Sequence, residues 1–267
     1  MIAAVGSVLE ELEAGRLRAA VPDATATVGW RVDPAVKEAI LACFRDRRTE
    51  DWTAGPLAFR DRTGVPPKRL FESIDGLAAD AAGRSWRIVP GGTSIRAGAH
   101  LEPGVVVMPP AFVNIGAWIG EDAMVDSHVL VGSCAQIGAR VHLAAAVQIG
   151  GVLEPAGARP VIVENDAFVG AGSILLEGVL VQAGAVIGAG VCLTGTSTLF
   201  DLVNERILAG TADAPLVVPV GAVVVPGMRP GRGPFAERHG LGIATALIVK
   251  YRDAGTSARV ALEGALR

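Results

Sequence analysis

Four histidines, His100, His128, His142 and His239, and three cysteines, Cys43, Cys134 and Cys192, hold much of the reactive chemistry open to this 267-residue chain. Imidazole takes and gives protons near neutral pH. His128 therefore reads as a general base, a substrate contact, a bystander facing solvent or a hydrogen-bonding group between subunits. A catalytic zinc needs three converging protein ligands, and His128 and His142 are 14 residues apart, too far out of step to stack. No metal is expected, a site shared between subunits being the one arrangement left open. The cysteines form no close pair, so they suggest neither a disulfide nor a metal scheme and read as small core or wall residues. Asp126, directly after Val125, is either an acid free for chemistry or a corner aspartate capping a turn.

The elements that would position these groups follow from a period of six. Large aliphatics recur without a break at Ile95, Leu101, Val107, Val113, Ile119, Val125, Val131, Ile137, Leu143 and Ile149, then at Val163, Val169, Leu175, Val181, Ile187, Leu193 and Leu199. Two places before nearly every one stands a smaller or β-branched residue, such as Ala99, Val105, Ala117 or Val141. An amphipathic helix would repeat at three and four. Six residues fit a short strand and a tight corner, and three such units make one triangular coil of 18. Stacked coils would lie about 4.8 Å apart, with the large side chains inward. Glycines near the ladder (Gly98, Gly104, Gly116, Gly120, Gly132, Gly138, Gly170, Gly184, Gly188) are expected to supply corner conformations that a Cβ opposes.

The expectation is a solenoid of about three coils from the first ladder and two from the second, with Val218 and Val224 resuming it for a last one. Between Ile149 and Val163 a gap of 14 residues stands where 12 would keep step. Gly150, Gly151, Pro155, Gly157 and Pro160 fill it, as befits a binding loop on a rigid scaffold. A second interruption runs from Phe200 to Pro219. The domains read as residues 1–89, small and mostly helical; 90–230, the solenoid; and 231–267, a cap with a strand over Leu241–Val249 and a helix over Ser257–Leu266. In the first domain a helix is expected around Val8–Leu17. Asp33 before Pro34 marks the start of another, whose apolar face is Val36, Ala39, Ile40 and Phe44. Thr63–Arg69, with two prolines, is an extended link. This domain reads either as a cap on the solenoid or as part of an acceptor site for the neighbouring subunit.

A net charge of −3 and no long basic stripe argue against nucleic acid, and Arg45, Arg47 and Arg48 read as a solvated helix end. No stretch reaches the roughly 20 apolar residues of a membrane span. With no signal layout at the N-terminus, a cytoplasmic address is expected.

Coils of this kind resemble the left-handed parallel β-helix of hexapeptide-repeat acyltransferases, and a narrower resemblance rests on particular segments. Met124–Asp126 (MVD), Val131–Gly138 (VGSCAQIG), Val141–Leu143 (VHL) and Ile149–Pro155 (IGGVLEP) are similar to segments of the tetrahydrodipicolinate N-succinyltransferase family. Phe44-Arg45, Arg87–Pro90, Ile95–Gly98, Met108-Pro109, Val113–Gly116, Glu177–Val179 and Leu247–Lys250 extend the match from about residue 30 to the C-terminus. The resemblance implies a CoA-dependent N-acyltransferase of lysine and diaminopimelate biosynthesis. Such an enzyme moves succinyl from succinyl-CoA, a co-substrate and not a resident cofactor, to the amine of L-2-amino-6-oxopimelate. It also implies a homotrimer with active sites between adjacent subunits.

By that resemblance Asp126 is the acid placed against the acceptor nitrogen, and Arg96 holds an acceptor carboxylate by a two-pronged contact. Asn114 and Ser133 are assigned to the same wall or to turns, and Glu154 to substrate or to ordering the inserted loop. CoA is expected in a groove between solenoids, bonded to main-chain atoms around Ala171, Gly172, Gly188 and Ala189. Lys250 is expected at a CoA phosphate or on a solvated edge.

The chain departs from the family pattern in four places. Gly172 and Ile174 stand where the family carries an arginine and a second acid, His128 stands for a tryptophan, and Ala144, Ala145, Ala146 and Gln148 replace a glycine-rich stretch. Either Asp126 works alone, Glu177 substitutes for the second acid, or the acceptor differs. Two alternatives follow: a divergent paralogue acylating another amino-acid-like amine from succinyl-CoA or acetyl-CoA, and a non-catalytic CoA-binding trimer.

Overall fold

The computed structural model describes residues 5–54, 57–68 and 86–252. Its body is a parallel β-helix whose cross-section has three faces. The first stacks the strands Ser94–Ile95, Phe112–Val113, Leu130–Val131, Gln148–Ile149, Ile174–Leu175 and Cys192–Leu193. The second stacks His100–Leu101, Trp118–Ile119, Gln136–Ile137, Ile162–Val163, Leu180–Val181 and Val217–Val218. The third runs from Arg87–Ile88 through Val106–Val107, Met124–Val125, His142–Leu143, Phe168–Val169 and Val186–Ile187 to Ala222–Pro230. Registers such as Trp118 on Gln136 and Met124 on His142 give the coil of 18.

Each two-residue strand sends one side chain in and one out, and the ladder residues are the inward ones. Leu101, Val125, Ile137, Leu143 and Ile187 are at most 1% exposed, and their smaller companions Ala99, Val141 and Ala185 are fully buried. Large and small side chains thus alternate around a core narrow enough to be filled without voids.

Both interruptions lie at the corner between the first and second faces, corner one. Val163 stacks on Ile137, so the 14 residues after Ile149 replace a single hexad step. No rung is skipped, which corrects the count of 12. Val218 stacks on Val181 and Val224 on Ile187, resuming the coil as expected. Leu199 instead belongs to a hairpin of Thr198–Asp201 and Arg206–Ala209 that leaves the prism.

The corner glycines divide by cause. Gly98, Gly104, Gly116 and Gly184 have φ between 66° and 79°, as their corners require. Gly120, Gly132, Gly138 and Gly170 do not, and they are small because stacked corners meet there. A Cβ on Gly120 would lie 2.6 Å from Ala139 N, and one on Gly170 2.5 Å from Ala189 N. The left-handed corner position is also filled by Asp122, His128, Cys134, Arg140, Ala146 and Asp166, with φ of 56° to 65°.

The N-terminal segment lies along the prism and not only at its end. Helix α1 (Val5–Glu13) stops before Gly15, at φ 73°, earlier than the apolar pattern suggests. Helix α2 (Pro34–Arg45) begins as expected, with the Asp33 carboxylate accepting from the N–H groups of Ala35 and Val36. Leu9, Leu12, Val36, Ile40 and Cys43 pack on Ala97, Ile115 and Cys134 at corner one. Two antiparallel ribbons, Ala20–Pro22 with Trp30–Val32 and Thr49–Ala54 with Leu57–Arg62, accompany the helices. At the other end Gly242–Tyr251 pairs antiparallel with Ala222–Pro230 and parallel with Thr198–Asp201, past a short helix α3 (Pro234–Arg238). The helix expected over Ser257–Leu266 lies outside the described residues.

Candidate active site

Asp126 opens the corner between the third and first faces, corner three, where residues 126–128 stack on 144–146, 170–172 and 188–190. Its Oδ1 accepts the Ser127 N–H at 2.7 Å, and the side chain is 35% exposed. The carboxylate is thus fixed at one oxygen and open to a ligand at the other. His128, two residues on, is exposed at φ 64° and joined to its surroundings by main-chain bonds to Pro110 and Gln148. Its backbone does the work of a corner glycine while the ring faces solvent.

The four residues expected at coenzyme A continue the same corner. The N–H groups of Gly172 and Gly188 are spent on stacking, donating to Ala145 O and Val224 O. Ala171 and Ala189 are exposed, and among the described residues their N–H groups donate to nothing. The N–H group of Ala145, half-buried on the same corner, likewise donates to nothing among the described residues. Lys250, half-buried, lies on the strand paired with Val223, next to the third face.

Arg96, Asn114, Ser133, Glu154 and Glu177 fall at corner one, across the whole first face. Arg96 is held by Asp61 at 2.8 Å, with its guanidinium 5.8 Å from the rings of Phe44 and Phe112. Asn114 Oδ1 accepts the Ile115 N–H at 2.9 Å, repeating as a turn residue the bond that Asp126 makes. Ser133 is 5% exposed beneath the inserted loop and accepts the Val152 N–H through its carbonyl. Glu154 and Glu177 are exposed and line a cleft of about 970 Å³ with Trp30, Arg159 and Thr196. Asp126 is not among the residues that line this cleft. Within one chain the corner-one and corner-three residues are not brought together.

The loop that carries Glu154 is pinned by two cations the sequence reading passed over. Lys37, fully buried on α2, donates from Nζ to Pro155 O and Ala158 O at 3.2 and 2.7 Å. Arg159 donates to Gly178 O, Pro215 O and Leu216 O, and burial pulls its pKa down to about 10. A polar chain end placed among apolar helix residues was the signal for Lys37. His142 was also passed over as a partner for Asp126, although hexad arithmetic puts it directly beneath Met124.

Cys43 and Cys134 are buried, and burial pushes the Cys134 thiol up to about 12; Cys192 is exposed on the first face. Among the described residues no three His, Cys, Asp or Glu side chains are grouped to hold a metal, and no helix is long and apolar enough to cross a membrane.

Comparison with known proteins bears on the family of the chain. Residues 1–45 match the family model "Tetrahydrodipicolinate N-succinyltransferase N-terminal", and residues 160–195 match "Hexapeptide repeat of succinyl-transferase". A 2,3,4,5-tetrahydropyridine-2,6-dicarboxylate N-succinyltransferase of Idiomarina loihiensis is 42% identical over 264 residues, 99% of this chain and 88% of the relative. The chain belongs to the tetrahydrodipicolinate N-succinyltransferase family. Relatives of the same name from Bordetella pertussis and Rhodospirillum rubrum are 41% and 40% identical, each over 99% of this chain and 89% and 88% of their own. The similarity to the tetrahydrodipicolinate N-succinyltransferase family thus includes helix α1, which precedes the segments by which the sequence first resembled it.

Proposed function

We propose that this protein is a 2,3,4,5-tetrahydropyridine-2,6-dicarboxylate N-succinyltransferase, a cytoplasmic homotrimer using succinyl-CoA, with each active site made by two adjacent subunits. The observation that carries the reading is the end-to-end similarity to relatives of that name. The placement of the candidate residues supports it. Asp126 and the open N–H groups lie at corner three and the acceptor-side residues at corner one, so a second chain would have to bring one corner to the other. Leu130 and Ile174 point outward from the first face between those corners and join none of the chain's own apolar clusters among the described residues. That face suits contact with another copy.

In the proposed step the lone pair of the acceptor amine attacks the thioester carbon, the C–N bond forms, and the C–S bond breaks with its electron pair leaving on sulfur. Asp126 receives the proton lost by the nitrogen and passes it on to the thiolate. The unpaired main-chain donors of Ala145, Ala171 and Ala189 at corner three suit the pantetheine amides or the thioester oxygen as it gains charge. Arg96, already paired with Asp61, would contribute its remaining donors to an acceptor carboxylate.

One observation favours a second reading, in which the acceptor is a different amino-acid-like amine. The replaced residues His128, Ala146 and Gln148 are one cluster, since Gln148 Nε2 donates to both His128 O and Ala146 O. Release of CoA thiol from succinyl-CoA, with and without tetrahydrodipicolinate and with acetyl-CoA as control, separates the readings. Asp126→Asn should lower acceptor-dependent release by about 10²- to 10⁴-fold, the usual weight of a general base, with the trimer intact. Full activity in that variant would remove Asp126 from the mechanism. Binding of CoA without turnover on any amine would favour a non-catalytic trimer.

A further inference from the structure

His142 stands one coil along from Asp126 on the third face, where Met124 pairs with His142 and Val125 with Leu143. Its Nε2 lies 3.8 Å from Asp126 Oδ2. That nitrogen is shielded from solvent and has no hydrogen-bond partner, although the side chain as a whole is 43% exposed. A sealed polar atom left unpaired is costly, so a small movement that pairs it is favoured. Phe168, on the next rung, meets the imidazole edge-on with centroids 5.2 Å apart and planes at 86°, which restricts the ring to a narrow swing. Asp126 Oδ1 is already held by Ser127 N–H. Among the described residues Oδ2 has no hydrogen bond of its own, and this shielded nitrogen lies 3.8 Å from it. Closing the gap to the usual charge-assisted distance of about 2.8 Å would pair both groups at once.

We propose that His142 is a positioning residue for Asp126. Carrying its proton on Nε2, it donates to Oδ2, while Ser127 N–H holds Oδ1. The carboxylate then cannot rotate, and one remaining lone pair is aimed at the acceptor amine. His142 acts through Asp126 and touches neither substrate. The inference rests on the acyl-transfer reading above.

Two substitutions test it. His142→Phe keeps a ring against Phe168 and removes the donor, and His142→Gln sets an amide N–H near the place of Nε2. In the thiol-release assay His142→Phe should lower kcat by about 10²-fold, the penalty of a misplaced catalytic group, with KM for both substrates within about twofold. His142→Gln should recover most of that loss. In an Asp126→Asn background, His142→Phe should change nothing further. Proton NMR supplies a reading independent of turnover: one imidazole N–H resonance protected from exchange in the wild type, absent from His142→Phe and from Asp126→Ala. An active wild type with an equally active His142→Phe variant, an equal loss in the Asp126→Asn background, or a resonance that survives Asp126→Ala would overturn this inference alone. Wild-type protein without acceptor-dependent thiol release would overturn the acyl-transfer reading and this inference together.

Discussion

Asp201 is the most heavily bonded acid among the described residues. It is 1% exposed, and its carboxylate accepts from Asn204 Nδ2, Arg206 Nε, the Tyr251 hydroxyl and the N–H groups of Val203 and Asn204, at 2.7 to 3.2 Å. Burial alone would raise its pKa, but these donors outweigh it and hold the carboxyl well below its ordinary 3.8. A carboxylate depressed in the folded state contributes stability that is present above its unfolded pKa and is lost as pH falls through the folded one. Thermal melts between pH 7 and pH 2 should therefore show the wild type losing stability progressively below about pH 4. Asp201→Asn should be less stable at pH 7 and should lose less on acidification. Parallel melting curves for the two proteins would mean that Asp201 is not the group responsible. The sequence showed nothing of this residue, because its partners come from a hairpin and from a strand 50 positions away. Asp126 stands out as a candidate because its segment is distinctive, but its attachment to Ser127 and its approach to His142 needed coordinates.

At the level of the element, each corner joins two demands that the sequence had merged into one. Residues such as Gly120 must be small because the corner of the next coil touches them, whereas the third corner position must accept a left-handed backbone whatever its side chain. Gly120→Ala should destabilise by about 1–3 kcal/mol, the cost of forcing a methyl into packed structure. Ala146→Gly, at φ 61° and exposed, should do the reverse by about 0.5–1 kcal/mol, since relief of the left-handed strain exceeds the entropy that glycine brings to the unfolded chain. Differential scanning calorimetry of the two variants would settle it, and an unchanged or raised melting temperature for Gly120→Ala would contradict the stacking account. The ladder itself was readable residue by residue, since one inward side chain in six can be recognised without knowing what it touches. The outward ribbons of residues 20–32 and 49–62 were not, because no six- or two-residue period marks them.

For the whole molecule, the distance between corner one and corner three is the main fact about the site. If adjacent subunits complete it, Asp126 and Glu177 act across the interface. Trimers formed from equal amounts of Asp126→Asn and Glu177→Ala chains should then regain about a quarter of wild-type activity, the fraction of interfaces in a symmetric ring that receive both intact residues by chance. Thiol release by co-expressed and by separately purified, mixed homotrimers makes the comparison. No recovery on co-expression would place both residues in one chain's site, and full activity of the Glu177→Ala homotrimer by itself would remove Glu177 from it. The sequence could name candidate residues and could not say that one chain keeps them at separate corners, since a period of six assigns a residue to a corner only once the faces have been followed in space.

The two interruptions of the ladder both leave and rejoin the prism at corner one, with the register of every later rung intact. Length is thus a free variable at this corner and at no other along the chain described. Loops at this corner can therefore be longer or shorter without disturbing the core or the stacking of corner three. Freedom of length and closeness of stacking thus belong to different edges of the same prism.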